Sequence, residues 1–329
     1  ILIVLAVLLV ASTLSLGTPA PAQPELSIAN ALNFIYTPDL SSLANAKVWL
    51  EAAGQIFFTL SIGMGVIIAY ASYLKKDDDV VLSGLSAAST NEVCEVILGG
   101  SVVIPAAFVF LGAAGTLEVA KSGLFNIGFV TMPLIFGKIP LGAFFAGLWF
   151  LLLFIAGITS SVSMIQPAMS FMQDELKVDR KKATGILGII AFIACQPAIF
   201  FLGHGFVDEL DFWGGTVFLV LFATVETVIF GWVIGIDKAW EEMHQGSDIR
   251  IPSFYKFIIK YVTPLYLFAI LGAWSYQQFI PTILMEGVAE ADKPYIWGAR
   301  LLVFGGLALV IALTVYAAKR MKTSPGGAA

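Results

Sequence analysis

The 329-residue chain is 58% hydrophobic and 12% charged, with a mean hydropathy of +0.89. Soluble domains carry about 25% charged residues, so the composition excludes a soluble enzyme or binding module and reads as an integral membrane protein. The formal net charge of −5 argues against nucleic acid as a partner, and Cys94 and Cys195 both lie in apolar runs, where they read as small buried hydrophobes rather than a disulfide.

A membrane helix needs about 20 mostly apolar residues. In chain order such runs cover 1–16, 49–74, 90–113, 141–173, 183–203, 212–236, 254–281 and 295–318. The first begins already inside its run, and residue 1 is Ile rather than Met, so the chain is expected to be a fragment or to lack its recorded beginning. The same opening, up to Ala20-Pro21-Ala22, resembles a signal-peptide core with an A-x-A site, but no positive region precedes it. A truncated span is the preferred reading. Residues 17–48 form a long loop rich in Pro, Ala and Ser. Residues 114–140 form a second loop whose apolar part, Gly123 to Phe136, reads as a short re-entrant or surface-lying hairpin. Residues 237–252, "DKAWEEMHQGSDIRIP", form a polar connection, and Ser324 to Ala329 a short disordered tail. If the spans alternate, every Lys and Arg except Lys47, Lys121, Lys138, Lys293 and Arg300 falls on one side. The positive-inside rule makes that side cytoplasmic, together with the C-terminus, and places the protein in the cell membrane.

The span 49–74 carries an anomaly at its centre, Ser61-Ile62-Gly63-Met64-Gly65. An unpaired backbone group in hydrocarbon costs several kcal/mol, so irregular backbone survives there only where it lines a cavity or binds something. Gly-x-Gly beside a hydroxyl lowers the cost of unwinding, and the freed carbonyls become ligands, the device of transporters with discontinuous helices. The alternative is that the glycines merely let helices approach closely.

Other polar groups sit in or at the edge of spans. Asn91 and Glu95 are four apart and share a helix face, with Glu92 one position round; acids in spans are functional candidates. In 141–173, Ala156 precedes Thr159 by three and Ser160 by four, so one carbonyl and two hydroxyls can converge. Uncharged oxygens suit a hard monovalent cation such as Na+, whereas softer metals want Cys or His. The alternative is that Thr159, Ser160, Ser161 and Ser163 bond back to their own helix or glue neighbouring helices. Glu226 is a further buried acid, a polar partner without an assigned role.

The stretches "GQIFFTLSIGMG", "YASYLKKDDDVVLSG", "TNEVCEVILGGSVVIPA", "AGITSSVSMIQP", "DELDFWGGT" and "GIDKAWEEM" occur in the order of one family. The sequence resembles the neurotransmitter:sodium symporter family, most closely its bacterial amino-acid transporters, from residue 1 to about 320. The resemblance implies an all-α polytopic membrane protein with the leucine-transporter fold, an inverted five-helix repeat. The chain would be one transporter domain, 1–329, covering helices five to twelve and lacking helices one to four. Residues 1–16 would end the fifth helix, 17–48 form an outer loop, and 49–236 be the second repeat, helices six to ten, with the sixth broken. Residues 237–319 would hold helices eleven and twelve, and 320–329 a cytoplasmic tail.

The same resemblance implies two Na+ sites, both partly supplied by the missing first helix. Thr59 and Asn91 would serve the first; the carbonyl of Ala156 and the hydroxyls of Thr159 and Ser160 the second. Phe58, Thr59 and Ser61 would offer carbonyls and a hydroxyl to the substrate's amino group, with Phe58 also part of an aromatic lid. Met64 stands where many relatives carry Phe, and Met164, on the face of Ser160, takes an aliphatic position of the pocket. Two flexible thioethers predict a wide pocket for hydrophobic or aromatic amino acids; the alternative is that both fill core volume. Gln55 and Asp211 match the outer gate, Tyr73 and Asp174 the inner gate, each gate needing an arginine from the first helix region. Glu95 occupies the position that decides chloride dependence, which implies chloride independence with proton antiport. The expected function is sodium-coupled import by alternating access, without enzymatic chemistry, with a homodimer face offered by the twelfth helix. The rival classes are an ion channel and a non-transporting membrane subunit.

Overall fold

The computed structural model describes residues 1–19, 22–121 and 124–323. Ala20 and Pro21 of the signal-like site, Gly123 of the hairpin and the tail Ser324–Ala329 lie outside the described residues. Among the described residues the regular elements are all helices. In chain order they are α1 (Leu2–Leu14), α2 (Ile28–Tyr36), α3 (Ala46–Thr59), α4 (Val66–Ala71), α5 (Val80–Lys121), α6 (Ile127–Phe136), α7 (Gly142–Asp174), α8 (Arg180–Phe200), α9 (Phe206–Val233), α10 (Ile236–Met243), α11 (Phe254–Ile283) and α12 (Lys293–Thr323). Helix starts follow short polar caps: the side chain of Asn45 accepts from the N–H of Lys47 at 3.0 Å, and that of Asp179 from Lys181 at 3.1 Å.

The spans 141–173, 183–203, 212–236, 254–281 and 295–318 reappear as α7, α8, α9, α11 and α12 with ends moved by a few residues. Two expectations need correction, while the run 1–16 forms a short helix of 13 residues, as expected of a run that begins inside a span. The run 90–113 is the middle of α5, which starts at Val80: the small and polar residues Ser83 to Thr90 are good enough helix formers but invisible to hydropathy. The loop 17–48 holds α2, capped by Ser27, whose side chain accepts from the N–H of Asn30.

Packing divides the chain into two units, Ile1–Ser41 with Leu82–Val162, and Ser42–Val81 with Ser163–Ala329. In the first, Leu9 of α1, Val102, Ala106 and Ala107 of α5, Met132, Ile135 and Phe136 of α6, and Trp149 of α7 form one core. The indole of Trp149 donates to the carbonyl of Gly128 at 3.0 Å. The described part of the expected hairpin is therefore a helix that packs one face, Met132, Ile135 and Phe136, into this core and leaves Phe129, Val130 and Leu134 exposed. α5 is interrupted at Gly112, whose φ of 69° and ψ of 179° leave the helical region. In the second unit, Leu50 and Ala53 of α3 pack with Trp213, Val217 and Val220 of α9 and with Leu267, Ile270 and Trp274 of α11. Large apolar side chains such as Phe192, Ile193, Leu301 and Leu309 stand exposed on α8 and α12, the surface expected of helices solvated by hydrocarbon.

Candidate substrate and cation site

The expected interruption lies between α3 and α4. α3 ends in a Schellman closure: the N–H of Ile62 donates to the carbonyl of Phe57 at 2.8 Å, and that of Ser61 to Phe58 at 3.1 Å. The residue in the left-handed position is Ser61, with φ of 57°, a place usually held by glycine. Gly63 and Gly65 follow with φ of 77° and 74°. The chain resumes as helix when the N–H of Ala69 reaches the carbonyl of Gly65 at 2.9 Å.

The N–H groups from Leu60 to Gly63 all have acceptors. Leu60 donates to the carbonyl of Ile56 at 3.1 Å, and the N–H of Gly63 donates to Oε2 of Glu226, on α9, at 3.2 Å. The Schellman bonds also claim the carbonyls of Phe57 and Phe58. A carbonyl that accepts one bond keeps a second lone pair, so the carbonyl of Phe58 can still accept. Phe58 is 43% exposed, while Thr59, Ser61 and Met64 are half-buried. Behind the break lies a cavity of about 560 Å3, lined by Phe57, Ile62, Ala223, Glu226 and Thr227 among others. None of the expected substrate residues lines it.

α4 is fixed to α7 by two side-chain bonds in step. Tyr70 donates to Ser163 Oγ at 2.8 Å, and Gln166 Nε2 donates to the hydroxyl of Tyr73 at 2.8 Å. Both pairs repeat at a spacing of three, so two short helical faces run alongside each other. Met164 is on this stretch of α7 and exposed, and Asp174 stands exposed at the helix end. Of the outer pair, Gln55 follows Gly54, which lies so near Thr216 that an added Cβ would sit 2.9 Å from its methyl. Asp211 opens a π-helical stretch, Asp211–Val217, of the same helix α9.

In the first unit, Asn91 Nδ2 donates to Glu95 Oε2 at 3.3 Å, so the two residues expected on one face do meet. Glu95 belongs to a π-helical segment, Val93–Gly99, and Tyr36 of α2 donates to the carbonyl of Val96 within it at 3.2 Å. Such single-turn widenings concentrate at functional sites. On α7, Thr159 Oγ1 lies 2.8 Å from the carbonyl of Ile155 and 3.0 Å from that of Ala156. The back-bonding alternative thus holds for Thr159. A hydroxyl that donates its single proton keeps lone pairs that can accept, so back-bonding and cation ligation are compatible. Thr159 and Ser160 are exposed and Ala156 half-buried. Thr59 belongs to the second unit and Asn91 to the first; Ser160 belongs to the first and Met164 to the second.

Sequence reasoning missed the Glu209–Arg300 pair and Gln166, and it named no partner for Glu226 or Ser163. The signal was present for the charged ones, since Glu and Arg within apolar helices seldom lack a partner. Nothing local marks Gln166 or says which helix Ser163 meets, since both partners lie 93 residues away.

The chain is 30% identical over 299 residues to an uncharacterized sodium-dependent transporter of Methanocaldococcus jannaschii, covering 90% of this chain and 58% of that protein. It is 25% identical to the sodium-dependent serotonin transporter of Drosophila melanogaster, covering 79% of this chain and 44% of the relative. The solved structure of MhsT in complex with L-phenylalanine matches with a TM-score of 0.69 and 27% identity, over 83% of this chain and 60% of that one. The chain thus spans about half to three-fifths of the length of these relatives. The fold is all-α, multi-pass and of the leucine-transporter type. The profile of the Sodium:neurotransmitter symporter family matches residues 2–322, so the chain belongs to that family, one of membrane symporters and not of enzymes.

Proposed function

We propose that the protein imports a hydrophobic or aromatic amino acid together with sodium and without need of chloride. The observation that carries this reading is the break between α3 and α4, where Ser61, Gly63 and Gly65 adopt left-handed φ between two apolar helices. In family terms α3 and α4 are the two halves of the sixth helix, and α5, α7, α8, α9, α11 and α12 the seventh to twelfth, with the C-terminus cytoplasmic.

The residues present fit Na+. The first site would take Thr59 and Asn91, the second the Ala156 carbonyl and the Thr159 and Ser160 hydroxyls, a hard and uncharged oxygen set. Sodium would supply positive charge for the substrate's carboxylate. The chain's own part is to hold these oxygens. Asn91 is oriented by Glu95, which receives its amide N–H and so fixes the direction of the amide oxygen. Glu95 carries its own negative charge beside that position, the basis for chloride independence. Phe58, Thr59 and Ser61 would meet the substrate's amino end, and Met64, Ser160 and Met164 its side chain. Gln55 and Asp211 would close the outer path, Tyr73 and Asp174 the inner one. Gln166, by holding the Tyr73 hydroxyl, keeps the inner half of the broken helix against α7.

The test is uptake of radiolabelled L-phenylalanine into proteoliposomes holding the protein expressed from its gene. Uptake is expected with an inward sodium gradient, to vanish with choline, and to persist when gluconate replaces chloride. Leu, Met and Trp should compete. Sodium-independent uptake, chloride dependence or a strict preference for Ala or Gly would each refute the corresponding part of the proposal.

A further inference from the structure

Arg300 is the one charged residue buried in α12 among the described residues, at 4% exposure. Its guanidinium joins three helices. Nε donates to Glu209 Oε1 of α9 at 2.6 Å, Nη1 to the carbonyl of Ile283 at 2.9 Å, and Nη2 to the carbonyl of Thr282 at 2.6 Å. The last two are carbonyls at the C-terminal end of α11, and that of Thr282 also accepts from the N–H of Met285 at 3.2 Å. The same oxygen of Glu209 accepts from the indole of Trp213 at 2.7 Å. Trp213 is buried and packs edge-on against Trp274 of α11 and Phe304 of α12, at ring distances of 6.2 and 5.1 Å.

Glu209 and Trp213 are four apart and lie on the clamped face of α9. Asp211, between them, is about 200° round from Glu209 on a helix of 3.6 residues per turn, and it is exposed. Beneath it is Gly215: a Cβ there would sit 2.6 Å from Asp211 Oδ1, so the carboxylate rests on bare backbone. This stretch is π-helical, a register that regular α-helical bonding does not maintain by itself. A planar fork with several fixed donors specifies orientation as well as adding energy.

We infer that Arg300 is a positioning residue for Asp211, holding the far face of α9 in the widened register that presents the Asp211 carboxylate over Gly215. This rests on the reading of Asp211 as an outer-gate residue. Removing Arg300 alone would leave Glu209 as a buried unpaired charge, so the informative variant replaces both charges by apolar groups of similar size, Arg300→Met with Glu209→Met, which buried pairs often tolerate.

The experiment places Asp211→Cys in a Cys94→Ala, Cys195→Ala background in lipid nanodiscs and measures the rate of labelling by a charged thiosulfonate. A control reporter, Gln245→Cys, sits exposed on the connection after α10. In the double Met variant the labelling rate of the Asp211→Cys reporter should change about tenfold, the factor given by a local shift worth roughly one net hydrogen bond, while that of the Gln245→Cys reporter holds. Arg300→Lys, which keeps the charge but loses the fork, should fall between. An unchanged rate for the Asp211→Cys reporter in whichever of these variants remains folded, judged by thermal stability, overturns the assignment. So does an equal change at both reporters, which would mean general loosening. Labelling needs neither sodium nor substrate, so its outcome is independent of the uptake experiment that tests the transport reading.

Discussion

Gly63 and Gly65 both adopt left-handed φ, yet they should respond differently to alanine. At either position a Cβ in the left-handed region costs about 1–2 kcal/mol. At Gly65 the added carbon would find Pro167 Cβ at 3.6 Å, an ordinary contact, so the backbone cost is nearly the whole effect. At Gly63 it would lie 2.8 Å from the carbonyl oxygen of Leu219 and 3.2 Å from the nitrogen of Ala223. Both are backbone atoms of α9 and cannot rotate away. Overpacking of this kind adds about 1–3 kcal/mol. Relief would require the break to move off α9, which also stretches the 3.2 Å bond from Gly63 N–H to Glu226. Gly63→Ala should therefore lower the apparent Tm of the detergent-solubilised protein well beyond Gly65→Ala, in parallel heating scans. A Gly65→Ala loss equal to or larger than that of Gly63→Ala would refute the reasoning, because it would show that conformation and not contact with α9 dominates at both sites.

Gly54→Ala should destabilise by about 1–3 kcal/mol, since the new Cβ would lie 2.9 Å from the Thr216 methyl and 3.1 Å from its Cα. Thr216→Ser removes the methyl and should recover part of the loss, so strictly additive Tm changes in a double-mutant cycle would count against this contact. A third expectation concerns pH. The Lys256 ammonium bonded to Asp237 at 2.8 Å holds that carboxyl below its ordinary value. A depressed folded-state value means that the pair stabilises above the unfolded carboxylate pKa and stops doing so as pH falls through the folded one. Asp237 is exposed and the contribution small. The Tm difference between the native protein and Asp237→Asn should be present at neutral pH and disappear in acid. A difference that grows on acidification would contradict the assignment.

What could be read directly from the sequence was local. The long apolar runs mark α7, α8, α9, α11 and α12 because burial in hydrocarbon is a property of each stretch by itself. Gly63 and Gly65 mark the break because only glycine enters the left-handed region freely. Asn91 and Glu95 meet because four residues bring side chains to one helix face. The amphipathic α2 escaped notice for the converse reason: hydropathy records apolar length, and this helix is short.

Tertiary structure alone decided which distant groups complete these features. Glu226 reaches Gly63 across 163 residues, Gln166 reaches Tyr73 across 93, and Arg300 reaches Glu209 across 91. Helical periodicity says which face a residue occupies but not which helix comes to lie against that face. The left-handed Ser61 belongs here as well, since a serine tolerates that conformation only where the surrounding structure determines it. The sequence thus determined where helices form and where one must break, because those follow from local sterics and solvation. Only packing determined how the break is satisfied, because its partners are carried by other helices.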